Sequence, residues 1–276
     1  MAPDDPTPTG VATRCGSRRS RQGCLAGSEN RQVRINDLPR RSAARRTIGR
    51  RPTLSAQHPA AVLFDMDGTL VDSEKLWEVA LHELAVAYGG ALSEPARRAI
   101  VGTSMAVSMR ILHDDLGQPE RDPHASAAWI NGRILELFRS GLRWRPGALA
   151  LLQAVRAAGV PTALVTSSGR ALVEVALDTL GRDSFDAVVC GDEVEAAKPH
   201  PTPYLTAARL LGVPIGRCVA IEDSPTGVAS ALAAGAAVLA VPTEVPVAPS
   251  AGVHQLASLT AADLELLAAL LGKPPA

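Results

Sequence analysis

Cysteine pairs, clustered histidines and long apolar runs are all missing from this chain, and each absence removes a class of protein. The four cysteines, at 15, 24, 190 and 218, form no Cys-x-x-Cys pair and no zinc spacing. Cys190 and Cys218 lie in apolar contexts where a buried thiol is the default, so a reducing cytoplasm is the expected location. The six histidines are scattered, and no two have metal-ligand spacing; His82 and His113 fall in helical patterns and are expected at the surface or in packing. No apolar run approaches the ~20 residues of a membrane helix. No internal repeat is visible. Lysine is scarce too: it occurs only at 75, 198 and 273, and the other basic residues are arginine. What is present is a large apolar fraction, 46% of 276 residues, enough for one large domain or two smaller ones.

The formal net charge of zero hides two unlike parts. Residues 1–57 hold 12 arginines against four acids, and residues 58–276 hold 16 basic residues against 24 acids. The first part has no apolar periodicity and is expected to be a disordered basic extension. A solvated extension, or a stretch upstream of the true start, is the preferred reading; a transit peptide or a nucleic-acid arm is the alternative.

Four segments of the second part carry chemistry. The apolar run 60–64 reads as a buried strand and ends in Asp65-Met66-Asp67-Gly68-Thr69. Two carboxylates so close repel each other and are costly to bury without a cation, and Mg²⁺ shared with phosphate is suited to them. A second run, 163–165, ends in Thr166-Ser167-Ser168-Gly169, whose hydroxyls and N–H groups suit a phosphate at a helix start, or an ordinary N-cap. Lys198 stands just before Pro199 and Pro201, where arginine is this chain's habit, which points to a compact point charge. A third run, 218–221, ends in Glu222-Asp223-Ser224 before a helical run, again with a helix cap as the bland reading.

Together these segments resemble the haloacid dehalogenase superfamily, in its beta-phosphoglucomutase-like and phosphoglycolate-phosphatase-like group, over roughly residues 58 to 260. The resemblance implies a Mg²⁺-dependent phosphatase acting on a small phosphorylated metabolite through an aspartyl-phosphate. Asp65 matches the nucleophile. Asp67 matches the general acid/base, with its carbonyl a metal ligand. Thr166 and Ser167 match the phosphate-holding motif, and Lys198 the lysine that neutralises nucleophile and phosphate. Asp223 matches the metal-ligand carboxylate, with Glu222 beside it as a more remote or water-mediated ligand. Arg170 is a candidate for a substrate anion, or lies on a helix face. Asp192 and Glu193 add negative charge near the metal or lie on a loop surface. Phosphoryl transfer passes through a loose transition state, so positioning and charge neutralisation dominate its catalysis.

The fold class expected is α/β: a Rossmann-like doubly wound parallel sheet with an inserted all-helical cap. Helical periodicity over 76–88, 94–100, 107–116 and 125–138 resembles that cap, giving a cap over 76–143 and a core over 58–75 and 144–276. From 146 onward helix and strand alternate: helices at 148–158, 171–180 and 203–211, strands at 160–165, 185–190, 218–221 and 237–241, and a last amphipathic helix at 260–271. A monomer is expected, with neither membrane nor nucleic acid as partner.

The alternative is a phosphosugar mutase of the beta-phosphoglucomutase type. Those isomerases carry a histidine ten residues after the second catalytic aspartate, where this chain has Trp77, and a basic residue in the cap hinge loop, where it has Gly102-Thr103-Ser104-Met105. The lysine that would follow the second-motif serines is Gly169. A non-catalytic binding protein and a dehalogenase are further readings, both disfavoured by the intact Asp65, Asp67, Lys198 and Asp223.

Overall fold

The apolar run before Asp65 forms strand β1 (Ala61–Phe64), buried at every residue. The structure, a computed structural model, describes residues 58–101 and 103–272. The basic extension 1–57 and Gly102 of the expected hinge loop lie outside the described residues. Five further strands follow: β2 (Thr162–Val165), β3 (Ala187–Val189), β4 (Cys218–Glu222), β5 (Ala237–Ala240) and β6 (Val253–Gln255). All neighbours are parallel, in the order β3-β2-β1-β4-β5-β6. The order reverses between β1 and β4, and the crevice at the carboxyl ends of such strands is where ligands bind in this architecture.

The period of two sorts each strand between two cores. Val62, Phe64, Leu164, Val219, Ile221 and Leu239 point to one face. Ala61, Leu63, Ala163, Val165, Ala220 and Ala240 point to the other. The first face lies under α5 (Ala148–Ala157), α6 (Arg170–Leu180) and α9 (Leu264–Leu271). The alanine-rich second face takes α7 (Thr202–Leu211) and α8 (Pro225–Ala234), whose own small residues Ala207, Ala208 and Ala231 match it.

Between β1 and β2 the chain leaves the sheet for four helices: α1 (Glu74–Ala87), α2 (Glu94–Ile100), α3 (Met105–Asp115) and α4 (Pro123–Arg139). Ser93 accepts from the Ala96 N–H and caps α2. Leu84, Met109, Leu112, Ile130, Ile134 and Phe138 are buried among the four. His113 is buried and bonds Ser126 at 2.8 Å, and Tyr88 reaches the same hydroxyl at 2.7 Å, so His113 is a packing residue; His82 is exposed. The two linkers into and out of the insert pair at its base. Val71 bridges Trp144, and the Asp72 and Arg145 N–H groups donate to the Arg143 and Leu70 carbonyls, each at 2.8 Å.

Two elements differ from the sequence reading. β6 has a histidine at its centre and no apolar run, so no periodicity reveals it; its strand character comes from pairing with β5. The last helix starts at Leu264 because Asp263 caps it, and a 3₁₀ turn at Leu259–Ala261 occupies the segment before. Among the described residues no helix is long and apolar enough to cross a membrane.

Candidate active site

Each chemical group stands where a strand ends, so the sheet itself gathers them. Asp65 follows β1, Thr166 follows β2, and Glu222 and Asp223 close β4. Lys198 arrives from the β3–α7 loop and is buried. Its ammonium donates to Asp65 Oδ1 at 2.7 Å, Glu222 Oε1 at 2.6 Å and the Val165 carbonyl at 2.9 Å. All three of its protons are thereby used.

Gly68 explains the turn. Its φ of +80° is open to glycine, and a Cβ there would stand 2.2 Å from Asp223 Oδ2. The backbone after Asp67 can therefore lie directly against the Asp223 carboxylate. Asp223 also accepts from Thr69 at 3.4 Å and Thr243 at 3.0 Å. Thr243 contacts Glu74 as well, which brings a further carboxylate beside Asp223.

Asp65, Glu222 and Asp223 present carboxylate oxygens within 4.8 Å of one another, all buried. Burial lifts the Asp65 carboxyl to about 7; Lys198 opposes this, and Glu222 and Asp67 reinforce it. Asp223 is raised well above the usual carboxylate range by burial and by Asp65, Glu222 and Glu74. Burial pulls Lys198 downward, but its two carboxylate partners outweigh that and hold it above its ordinary value. Asp65 and Lys198 thus move in a way no isolated ion pair would, since a lone lysine should depress its aspartate. Burial is the larger effect on Asp65, and Lys198, shared with Glu222, offsets it only in part.

A hard divalent cation fits this donor set. Asp65 Oδ2 is buried and makes no hydrogen bond. Three clustered carboxylates against one ammonium leave two uncompensated negative charges when all are ionised. Glu222 is the least available of the three, because Oε1 accepts from Lys198 and from Tyr204 at 2.5 Å, and Oε2 from Ser224 at 3.4 Å.

Asp67 is held differently, by four side-chain donors. Ser73 and Trp77 donate to Oδ1 at 2.7 and 3.4 Å, and Ser168 and Thr166 to Oδ2 at 2.7 and 3.3 Å. Each of its two oxygens thus has two side-chain partners. Trp77, known from the sequence only as a missing histidine, is therefore a partner of Asp67. Ser168 belongs to the second motif, where its hydroxyl was expected on a phosphate and not on Asp67, and Ser73 and Tyr204 carried no signal. Ser167 lines the cavity beside Thr166 and makes no side-chain hydrogen bond among the described residues.

Arg170 takes the second of its two readings in this structure, at the start of α6. Its guanidinium forms a two-pronged pair with Glu193 at 2.8 and 2.6 Å, leans toward Glu174, and is not among the cavity-lining residues. Two carboxylates already compensate it here. Asp192 meanwhile accepts from the Arg170 N–H and stabilises the start of α6.

Glu222 is pinned by backbone as well as by charge. A Cβ on Gly227 would lie 2.0 Å from its carboxyl carbon and both oxygens. Glycine to alanine in a helix ordinarily gains about 1 kcal/mol. Here Gly227→Ala is expected to cost about 2–4 kcal/mol, because a buried carboxylate with three partners must move. Denaturant unfolding checks the sign, and a stabilised variant would contradict the packing described.

These residues open into a cavity of about 640 Å³ between the sheet's carboxyl edge and α1–α4. The family model of haloacid dehalogenase-like hydrolases matches residues 59–235. Hexitol phosphatase A of Escherichia coli (strain K12) is 37% identical over 186 residues, covering 67% of this chain and 84% of the relative. Fructose-1-phosphate phosphatase YqaB of the same organism is 36% identical over 180 residues, covering 64% and 93%. Among solved structures, CbbY from Rhodobacter sphaeroides in complex with phosphate is similar at a TM-score of 0.64, with 27% identity, over 74% of this chain and 96% of that one. With that match and this architecture, the chain belongs to the haloacid dehalogenase-like hydrolase family and is an enzyme of its phosphatase type.

Proposed function

We propose that this enzyme is a Mg²⁺-dependent phosphatase that hydrolyses a small phosphorylated metabolite through an aspartyl-phosphate, as a monomer in the reducing cytoplasm. The observation that carries the reading is Asp65 Oδ2: a buried carboxylate oxygen without a partner, beside an ammonium and at the head of a cavity.

Asp65 attacks phosphorus, and the bond from phosphorus to the ester oxygen breaks. Asp67, protonated for this step, gives its proton to the departing alkoxide. Asp67 then takes a proton from water, which attacks the phosphorus and releases inorganic phosphate and the Asp65 carboxylate. Lys198 neutralises the nucleophile and the phosphate beside it, and Thr166 and Ser167 at the end of β2 hold the equatorial oxygens. Bound at Asp65, Asp223 and the Asp67 carbonyl, with Glu222 behind them, Mg²⁺ would supply neutralisation of the phosphate and its attacking carboxylate. Helices α1–α4 act as a cap, and their paired linkers at 70–72 and 143–145 are the hinge.

The mutase alternative is tested by its products. An isomerase must keep water from its phosphoenzyme and hold a bisphosphate. Trp77 binds Asp67 by an N–H that cannot turn, and Arg97, the cavity's arginine, is already paired with Glu94 and Glu244. With beta-glucose 1-phosphate and a bisphosphate activator, free phosphate is expected to exceed glucose 6-phosphate at least about tenfold, a preference of roughly 1.4 kcal/mol. Glucose 6-phosphate formed faster than phosphate would replace the hydrolase by the mutase.

A further inference from the structure

Among the described residues two cations line the cavity, Arg97 of α2 and Lys198, and both are in use. Lys198 is divided between Asp65 and Glu222. Arg97 is divided between partners of two kinds. Its Nε and Nη2 donate to Glu94, three positions back on the same helix, at 2.9 and 3.1 Å. Its Nη1 donates to Glu244, in the segment after β5. Glu94 is not among the lining residues, whereas Arg97 and Glu244 are. Glu94 therefore fixes where the guanidinium stands, and Glu244 takes up the edge that is left.

The segment that carries Glu244 is anchored. Thr243 donates to Asp223 Oδ2 at 3.0 Å and contacts Glu74, which ties it to the sheet's carboxyl edge and to the start of α1. The Arg97 and Glu244 side chains are each 24% exposed, so water and salt screen their pair less than one on the open surface. A second anionic group on a substrate would find both cations neutralised and would meet Glu78 and Glu244. A hydroxyl would find partners: Glu78 and Glu244 accept, and Ser104 and Asn131 both accept and donate. The volume, about 640 Å³, lies in the range of small-molecule sites and leaves room well beyond a phosphate.

We propose that Glu244 is a specificity-determining residue. By occupying Arg97 Nη1 it denies the cavity an anion receptor, so the enzyme selects phosphate monoesters whose remaining part is hydroxylated and uncharged and discriminates against those with a second anionic group. This rests on the phosphatase reading and deepens it.

The test compares sorbitol 6-phosphate with 6-phosphogluconate on the full chain with Mg²⁺. The two share the phosphate and the hydroxylated carbon chain and differ at the far end, a CH₂OH against a carboxylate. Wild type is expected to favour the sorbitol ester at least about tenfold in kcat/KM. Glu244→Gln leaves Arg97 held by Glu94 with Nη1 facing no charge, and should raise the gluconate-to-sorbitol ratio about tenfold, the worth of one charge-assisted hydrogen bond. Glu244→Ala repeats this without an amide oxygen to cover Nη1. Arg97→Gln breaks the same pair but frees no cation, so its ratio should not rise. Wild type that hydrolyses both esters equally overturns the proposal. So does an equal rise in Glu244→Gln and Arg97→Gln, which would make the pair a mere clasp between insert and core. Calorimetric binding of the two esters, with Asp65→Asn added to stop turnover, separates this from the parent reading. If wild type hydrolyses neither ester but Glu244→Gln shifts the binding ratio toward 6-phosphogluconate about tenfold, the phosphatase reading fails and the role of Glu244 stands. A binding ratio unmoved by Glu244→Gln, or binding of neither ester, removes that role.

Discussion

Asp65→Asn is expected to lower kcat at least about 10³-fold while leaving the fold intact. The amide cannot attack phosphorus as a carboxylate does, so the covalent route closes. Its carbonyl oxygen can still accept from Lys198, and the amide nitrogen would take the place of Oδ2, the atom with no partner. The substitution also removes one negative charge from a buried cluster in which Asp65 and Asp223 both resist ionisation. Thermal unfolding should therefore occur at the wild-type temperature or above it. Rapid quench with labelled substrate should trap phosphoprotein in wild type and none in the variant. A variant that kept a tenth of the wild-type rate would sink the aspartyl-phosphate mechanism.

Asp65, Thr166 and Asp223 were legible in position because each closely follows an apolar run read as a strand, and a parallel sheet brings the ends of such strands to one edge; Lys198, in the β3–α7 loop, stood out only as a lysine where arginine is the habit. That argument needs no side-chain detail. The four donors around Asp67 were not legible in the same way. Ser73 carried no reading, Trp77 stood out only as the position of a missing histidine and Ser168 only as part of the hydroxyl-bearing second motif, and only the fold brings them to one carboxylate. Tyr204 was hidden for the opposite reason. It lies in an apolar helix pattern, and its hydroxyl finds Glu222 across the layer between α7 and β4. Arg170 shows the limit of reading charge from proximity in sequence: it follows the phosphate motif, yet Glu193, 23 positions on, claims it. The edge strand β6 is held by pairing alone, and pairing is a long-range property no local period records.

Removing divalent metal is expected to suppress turnover at least about 10³-fold, with recovery on adding Mg²⁺. A phosphate dianion at Asp65 shares its cavity with the carboxylates of Asp67 and Asp223, and the ammonium of Lys198 is already divided between Asp65 and Glu222. Without a cation the attack brings like charges together in a site where burial weakens screening. The same cluster predicts how the metal-free fold responds to pH. Asp65 is raised to about 7 from an ordinary value of 3.8, so the folded state binds its proton more tightly than the unfolded chain does. That contribution to stability is complete below pH 4 and is lost as pH rises through 7. Asp223, also raised, adds in the same direction. Metal-free protein should therefore melt at a lower temperature at pH 8 than at pH 5.5, and Mg²⁺ should reduce that difference by stabilising the ionised carboxylates. Unchanged turnover in excess EDTA would take the cation out of the reaction. A metal-free melting temperature that rises between pH 5.5 and 8 would show instead that Lys198 alone neutralises the cluster.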